Sequence, residues 1–206
     1  MTQKLLILDY NAGNLRSVVK KVERLGVPCV VSGDPQEVLK ADKIIMPGVG
    51  HFGNAVAYLK ETGLYDALNE AVSVRKTPIL GICLGMQLMA EYSDEGQSEG
   101  FAWVKGRITK FQVSDPVRFK VPHMGWNTVR CKKESVLNKG FEHDPSFYFV
   151  HSYHLADADP ADILHETVYD YSFVSAVEKE HLFGVQYHPE KSHETGEQLM
   201  RNFLSL

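Results

Sequence analysis

A doubly wound, mostly parallel α/β sheet flanked by helices, with added antiparallel β segments, is the fold this sequence predicts. Three observations predict it. Short continuous apolar runs, Leu5-Leu6-Ile7-Leu8, Ile44-Ile45-Met46 and Pro78 to Ile82, have the character of parallel strands buried on both faces. Segments of helical spacing lie between them, and strands alternating with helices imply a parallel sheet wound on both sides. The loops after Asp9, Met46 and Ile82 all fall at the carboxyl ends of strands, where such sheets collect ligands.

The first strand ends in Asp9-Tyr10-Asn11-Ala12-Gly13-Asn14, a polar loop. Leu15, Val18, Val19, Val22 and Leu25 then recur at helical spacing, and Gly26 stops the helix. Cys29 to Val31 is a second short strand, with Cys29 at a buried position. Asp34-Pro35-Gln36-Glu37 is a capping box with proline at the first helical position. The third strand, Ile44 to Met46, runs into Pro47-Gly48-Val49-Gly50. A helical region from Asn54 to Val74 is interrupted near Gly63. The fourth strand reaches Cys83, and a helix-like segment, Leu84 to Glu91, follows. Ser93 to Gly100 is acidic and reads as a solvated loop, and Phe101 to Val150 is a series of short β-type runs. Phe147 to His151 and Leu182 to His188 are later buried strands. A last helix, Thr195 to Leu204, packs Leu199, Met200, Phe203 and Leu204 on the sheet.

With 206 residues the chain is expected to form one domain, 1–206. Its 44% hydrophobic and 23% charged fractions are those of an ordinary globular protein. A net charge of −4 makes no electrostatic case for nucleic acid or an anionic membrane. Met1-Thr2-Gln3-Lys4 leads straight into a strand-like run too short for a signal peptide or a membrane span. Three cysteines with no framework spacing imply reduced thiols and a cytoplasmic location. Cys29 and Cys131 read as strand positions away from any glycine turn.

Gly81-Ile82-Cys83-Leu84-Gly85-Met86-Gln87 is different: strand, sharp turn, helix. Glycines permit a tight turn that exposes a nucleophile, and a helix N-terminus favours thiolate over thiol. By its own pattern Cys83 is either that nucleophile or a small hydrophobe buried in a strand. A nucleophilic cysteine needs a base, an orienting group and an oxyanion site. His188-Pro189-Glu190 supplies the first two, because residues i and i+2 of an extended segment point to one side. Pro47-Gly48-Val49-Gly50, beside the cysteine turn in the expected strand order, offers a backbone N–H. With the N–H of Leu84 it forms a candidate oxyanion hole; read alone, it is a simple βα turn.

These motifs resemble the class I (triad-type) glutamine amidotransferases. More narrowly, Asp9 to Leu15, Pro47 to Gly50, Pro122-His123-Met124-Gly125-Trp126-Asn127 and His151-Ser152-Tyr153 resemble the glutaminase subunits of imidazole glycerol phosphate synthases. The resemblance covers essentially the whole chain; Tyr187, where Phe is common, is the one departure in the catalytic block. It implies a Cys83–His188–Glu190 triad that converts glutamine to glutamate and ammonia through a γ-glutamyl thioester, with no cofactor. It implies an oxyanion hole at Val49, Gly50 and Leu84, and glutamine contacts from Gly50, Gln87, Ser152 and Tyr153. Gln87 is one helical turn past Cys83 and reads otherwise as an exposed helix residue. The family passes its ammonia to a (β/α)₈ synthase, for which 206 residues leave no room, so a separate partner chain is expected. Asn11, Asn14 and Lys191 are interface candidates by resemblance. Trp126 is either an interface anchor or a core strand residue.

His151-Ser152-Tyr153-His154 lacks acidic or thiol company at ligand spacing, so no metal is expected. The remaining histidines, His51, His123, His143, His165, His181 and His193, sit in no motif. Other readings are a triad serving another acceptor, a non-catalytic regulatory subunit, and a stand-alone thiol peptidase or γ-glutamyl hydrolase. The Pro47–Gly50 and Met124–Asn127 motifs speak against the first, and the intact triad against the second.

Overall fold

The structure, a computed structural model, describes residues 3–206; Met1 and Thr2, read above with the entry into the first strand, lie outside them. Strands β1 (Leu5–Leu8), β2 (Cys29–Ser32), β3 (Lys43–Gly48) and β4 (Ile79–Cys83) pair in parallel in the order β2-β1-β3-β4. Helices α1 (Leu15–Arg24), α2 (Pro35–Val38), α3 (Phe52–Glu61) and α4 (Leu64–Asn69) connect them, α4 passing into a π-helical turn at Glu70–Val74. Helix α5 (Leu84–Gln87) follows β4 directly. Next come β5 (Tyr92–Ser93), β6 (Ser98–Glu99), β7 (Arg107–Lys110), β8 (His123–Cys131), β9 (Ser146–His151), β10 (Tyr153–Ala156), β11 (Ile163–Val168) and β12 (Ser172–Lys179). Strand β13 (Leu182–Val185) and helix α6 (His193–Leu204) follow.

Strand β13 returns to the parallel stack beside β4, and β12 joins it antiparallel. From β12 the sheet branches into β10-β7-β5-β6 and β11-β8-β9. The expected parallel sheet with antiparallel additions is what forms. Its apolar runs are continuous because alternate residues face opposite helical layers. Leu6, Leu8, Ile44 and Met46 pack with Leu59, Leu64 and Leu68 of α3 and α4. Leu5, Ile7, Ile45 and Leu80 pack with Val18 and Val22 of α1 and Leu199, Met200 and Phe203 of α6.

Four local expectations need correction. Cys29 is half-buried rather than buried, and Val30 and Val31 are 37% and 42% exposed, because β2 is the edge of the sheet. Asp34 does cap α2, accepting from the Gln36 N–H at 2.9 Å. Glu37 does not close the reciprocal half of the box; it pairs with Lys4 at 2.6 Å and Lys40 at 3.2 Å. Ser93 to Gly100 contains the β5–β6 hairpin rather than a solvated loop, and Glu95 caps α3 by accepting from the Phe52 N–H at 2.9 Å. The helix after Cys83 ends at Gln87, not Glu91. The carbonyls of Leu88, Met89 and Ala90 accept from the N–H groups of Phe101 to Val104 instead of continuing the helix. No helix among the described residues is long and apolar enough to cross a membrane.

Candidate active site

Cys83 ends β4 with φ 54° and ψ −107°, a conformation an L residue adopts only where its surroundings impose it. Two glycines make the turn possible. A Cβ on Gly81 would stand 2.7 Å from the Gly85 backbone, and one on Gly85 would stand 1.8 Å from the Met46 carbonyl oxygen. The α5 backbone therefore lies directly on β3 and β4, with its first N–H groups beside the thiol. With one turn of helix, those local N–H groups matter here more than a macrodipole. The Cys83 side chain is nearly buried. Gln186 Nε2 donates to its Sγ at 3.5 Å, and the Val150 carbonyl lies 4.0 Å away.

His188 arrives from β13, the strand beside β4. Its N–H donates to the Tyr148 carbonyl at 2.9 Å. Its own carbonyl accepts from Ser192 Oγ at 2.6 Å. The backbone is thus held on both sides. Nδ1 bonds Glu190 Oε1 at 2.8 Å. The carboxylate can only accept, so Nδ1 carries a proton and Nε2 is left for the thiol. The His188–Glu190 contact was expected, but its cause was not extended chain: Pro189–Lys191 is a 3-10 turn that folds Glu190 back onto the ring. Asn14 Nδ2 donates to the same Glu190 oxygen at 2.5 Å. Burial opposes charge on His188, but hydrogen bonding and charge from Cys83 and Glu190 outweigh it, raising the imidazole to about 9.

One cavity of about 160 Å³ collects Val49, Gly50, Cys83, Leu84, Gln87, Ser152 and Tyr153 with Glu95, Val150 and His151. This is below the ~300–1,000 Å³ of drug-sized sites and suits a small metabolite. Gln87 is buried, not exposed, and its Nε2 donates to the Tyr153 carbonyl at 3.1 Å and Gln186 Oε1 at 3.0 Å. That second bond fixes the Gln186 amide with its NH₂ toward Cys83. Sequence reasoning missed Gln186, although it lies two residues before His188, the spacing that puts side chains on one face of a strand. It also missed Glu95, hidden in an apparently solvated run.

The interface candidates separate. Asn11 and Lys191 are exposed, whereas Asn14 turns inward onto Glu190. Trp126 is 50% exposed on β8 and stacks on His193 with centroids 5.1 Å apart, which removes the core alternative. Neighbouring Met124 is 61% exposed. The ring nitrogens of His151 are committed to the Tyr153 carbonyl (2.8 Å) and His123 (3.0 Å). Those of His154 are committed to the Leu155 carbonyl (3.2 Å) and Tyr171 (2.9 Å). Neither is free to ligate a metal.

A cysteine at a strand-to-helix turn and a carboxylate-held histidine are groups that can carry out acyl transfer through a thioester. The glutamine amidotransferase class-I family model matches residues 6–206. The chain belongs to that family, and is an enzyme of the glutamine amidotransferase type. Within it, the imidazole glycerol phosphate synthase subunit HisH 2 of Methanococcus maripaludis is 43% identical over 96% of this chain and 97% of its own length. The HisH subunit of Sulfurimonas denitrificans is 45% identical over 96% and 95%. Solved structures of similar fold include PurLQS from Thermotoga maritima, with TM-score 0.77, 18% identity and coverage of 100% and 99%. Another is a crystal structure of a glutamine amidotransferase, with TM-score 0.76, 14% identity and coverage of 97% of each chain.

The raised His188 has a measurable consequence. If the imidazolium gives its proton to the leaving group, kcat/KM should fall as pH rises through about 9. A kcat/KM–pH profile for glutamine hydrolysis with no alkaline limb between roughly pH 8 and 10 would contradict this. The sign for stability is the same. His188 contributes fully below its unfolded value of 6.5, and the contribution is lost as pH climbs through about 9.

Proposed function

We propose that this chain is the glutaminase subunit of an imidazole glycerol phosphate synthase, a cytoplasmic enzyme of histidine biosynthesis. The observation that carries the reading is the Cys83 turn, on the wall of a cavity of metabolite size, beside a His188 imidazole that Glu190 holds at Nδ1 and that Cys83 and Glu190 together raise. Similarity to HisH subunits over nearly the full chain supports the choice of acceptor pathway. Cys83 sulfur attacks the side-chain carbonyl of glutamine, and the C–S bond forms as the carbonyl electrons move onto oxygen. N–H groups of Leu84 and of the Val49–Gly50 turn hold that oxyanion. His188 gives its proton to the amide nitrogen, the C–N bond breaks, and ammonia leaves. Water, deprotonated by His188, then displaces sulfur to give glutamate and restore the thiolate. Glu190, itself held by Asn14, keeps the imidazole in the required tautomer throughout. Gly50, Gln87, Ser152 and Tyr153 surround the glutamine, and no cofactor or metal is needed.

The ammonia is delivered to a separate (β/α)₈ synthase chain. That partner is proposed to dock over the exposed Trp126, Met124, Asn11 and Lys191, which lie at or beside the active end of the sheet. The test is glutaminase activity of the isolated chain against the same chain with its cognate synthase and nucleotide ligand. Activity near background alone and a sharp rise with the partner is expected; high partner-independent activity would overturn the reading. Trp126→Ala should weaken the complex by about 2 kcal/mol, roughly thirtyfold in Kd, as titration calorimetry would read it. An unchanged Kd would remove Trp126 from the interface.

A further inference from the structure

Gly48, the last residue of β3, lies opposite Cys83 in the β3–β4 register. Directly behind it stands the tip of Tyr10. A Cβ on Gly48 would be 2.1 Å from Tyr10 Oη and 3.3 Å from the Leu84 Cβ. Tyr10 follows β1, the strand beside β3, and is 1% exposed. Its Oη is buried and has no hydrogen-bond partner among the described residues. Buried polar groups are nearly always paired, and leaving one unpaired is costly. A phenylalanine would fill the same space without that cost. Burial first, and then the charge of Cys83, push this phenol far above its ordinary value. The hydroxyl therefore keeps its proton and remains a donor at any working pH.

The Val49–Gly50 turn is a partition between two cavities. On one side is the catalytic cavity; on the other is a space of about 260 Å³ lined by Tyr10, Ala12, Asn54 and Tyr58, among others. Val49, Gly50 and Leu84 line both. In a planar trans peptide the N–H and C=O point in opposite directions. A turn N–H aimed into the catalytic cavity thus sends the carbonyl of its own peptide to the far side, where Tyr10 stands with a proton and no acceptor. We propose that Tyr10 is a positioning residue for the oxyanion hole, its hydroxyl donating to a carbonyl of the 48–50 turn when the turn N–H faces the substrate oxygen. This rests on the glutaminase reading above. It accounts for two features together: a buried hydroxyl without a partner, and a position 48 where any side chain would displace that hydroxyl.

Tyr10→Phe tests it, measured in the assembled complex with its synthase and nucleotide ligand. The expected result is a fall in kcat for glutamine hydrolysis of about tenfold or more with KM nearly unchanged, because the oxyanion exists only after attack. The melting temperature should not fall, and Cys83 should be alkylated by iodoacetamide at the wild-type rate. A kcat within about twofold of wild type at equal or higher melting temperature would show the hydroxyl to be a passenger and overturn the proposal. So would a loss of kcat matched by slower alkylation, which would locate the damage at the thiol. Failure of the glutaminase reading looks different: the wild-type complex itself would not hydrolyse glutamine.

Discussion

Cys83→Ala is expected to abolish glutamine hydrolysis by the assembled enzyme, a loss on the order of 10⁴-fold or more. The expectation follows from the lining of the cavity: Cys83 is its one thiol, and no described hydrogen bond joins the Ser152 or Tyr153 hydroxyl to a histidine that could activate it. Glu95, the one carboxylate among the described residues that line it, is committed to the Phe52 N–H at 2.9 Å. Loss of a triad nucleophile elsewhere costs about 10⁶ in kcat, and what remains comes from binding and the oxyanion site. Alanine retains the Cβ, so the strained backbone at φ 54° is neither relieved nor worsened. The variant should therefore fold, bind glutamine and associate with the synthase. Ammonia release measured against a melting curve decides the matter, and residual activity within about tenfold of wild type would remove Cys83 from the mechanism.

Gly85→Ala should have the largest effect on folding. The added Cβ would stand 1.8 Å from the Met46 carbonyl oxygen and 2.9 Å from its carbon. Both atoms are backbone in a central strand, so no rotamer change relieves the overlap. Overpacking against side chains costs about 1–3 kcal/mol, and a rigid-backbone clash belongs at or beyond the upper end. A loss of about 3 kcal/mol in a domain this size lowers Tm by roughly 6–12 °C. Gly26→Ala is the control. Unlike Gly85 it has positive φ, +74°, and nothing lies within 4 Å of the new Cβ, so only the backbone cost of about 1–2 kcal/mol applies. Calorimetry finding the two variants equally stable would mean α5 does not rest on β3 as closely as these distances require.

The proposed triad residues stood out in the sequence because each sits beside a local signal. Cys83 is framed by glycines and an apolar run, and His188 follows a buried strand. The reason given for Glu190 was nevertheless wrong, since two-residue strand periodicity does not survive Pro189, and a 3-10 turn makes the contact instead. Asn14, Glu95 and Gln186 show what local pattern cannot carry. Asn14 lies 176 residues from the carboxylate it holds. Glu95 lies 43 residues from the helix it caps. Gln186 is aimed by Gln87, 99 residues away. Such pairings depend on which strands become neighbours.

By itself the sequence determined the alternating α/β architecture, the cysteine turn at a strand end and the His-Pro-Glu segment proposed to serve it. These are encoded in hydrophobic period, glycine placement and nearest neighbours along the chain. Tertiary structure alone decided that β13 lies against β4, bringing His188 to Cys83. It alone turned Asn14 inward, left Trp126 outside, and put beside Gly48 a Tyr10 hydroxyl with no partner among the described residues. Strand order and close backbone approach arise from burying the two faces of one sheet at once, which no single segment of sequence specifies.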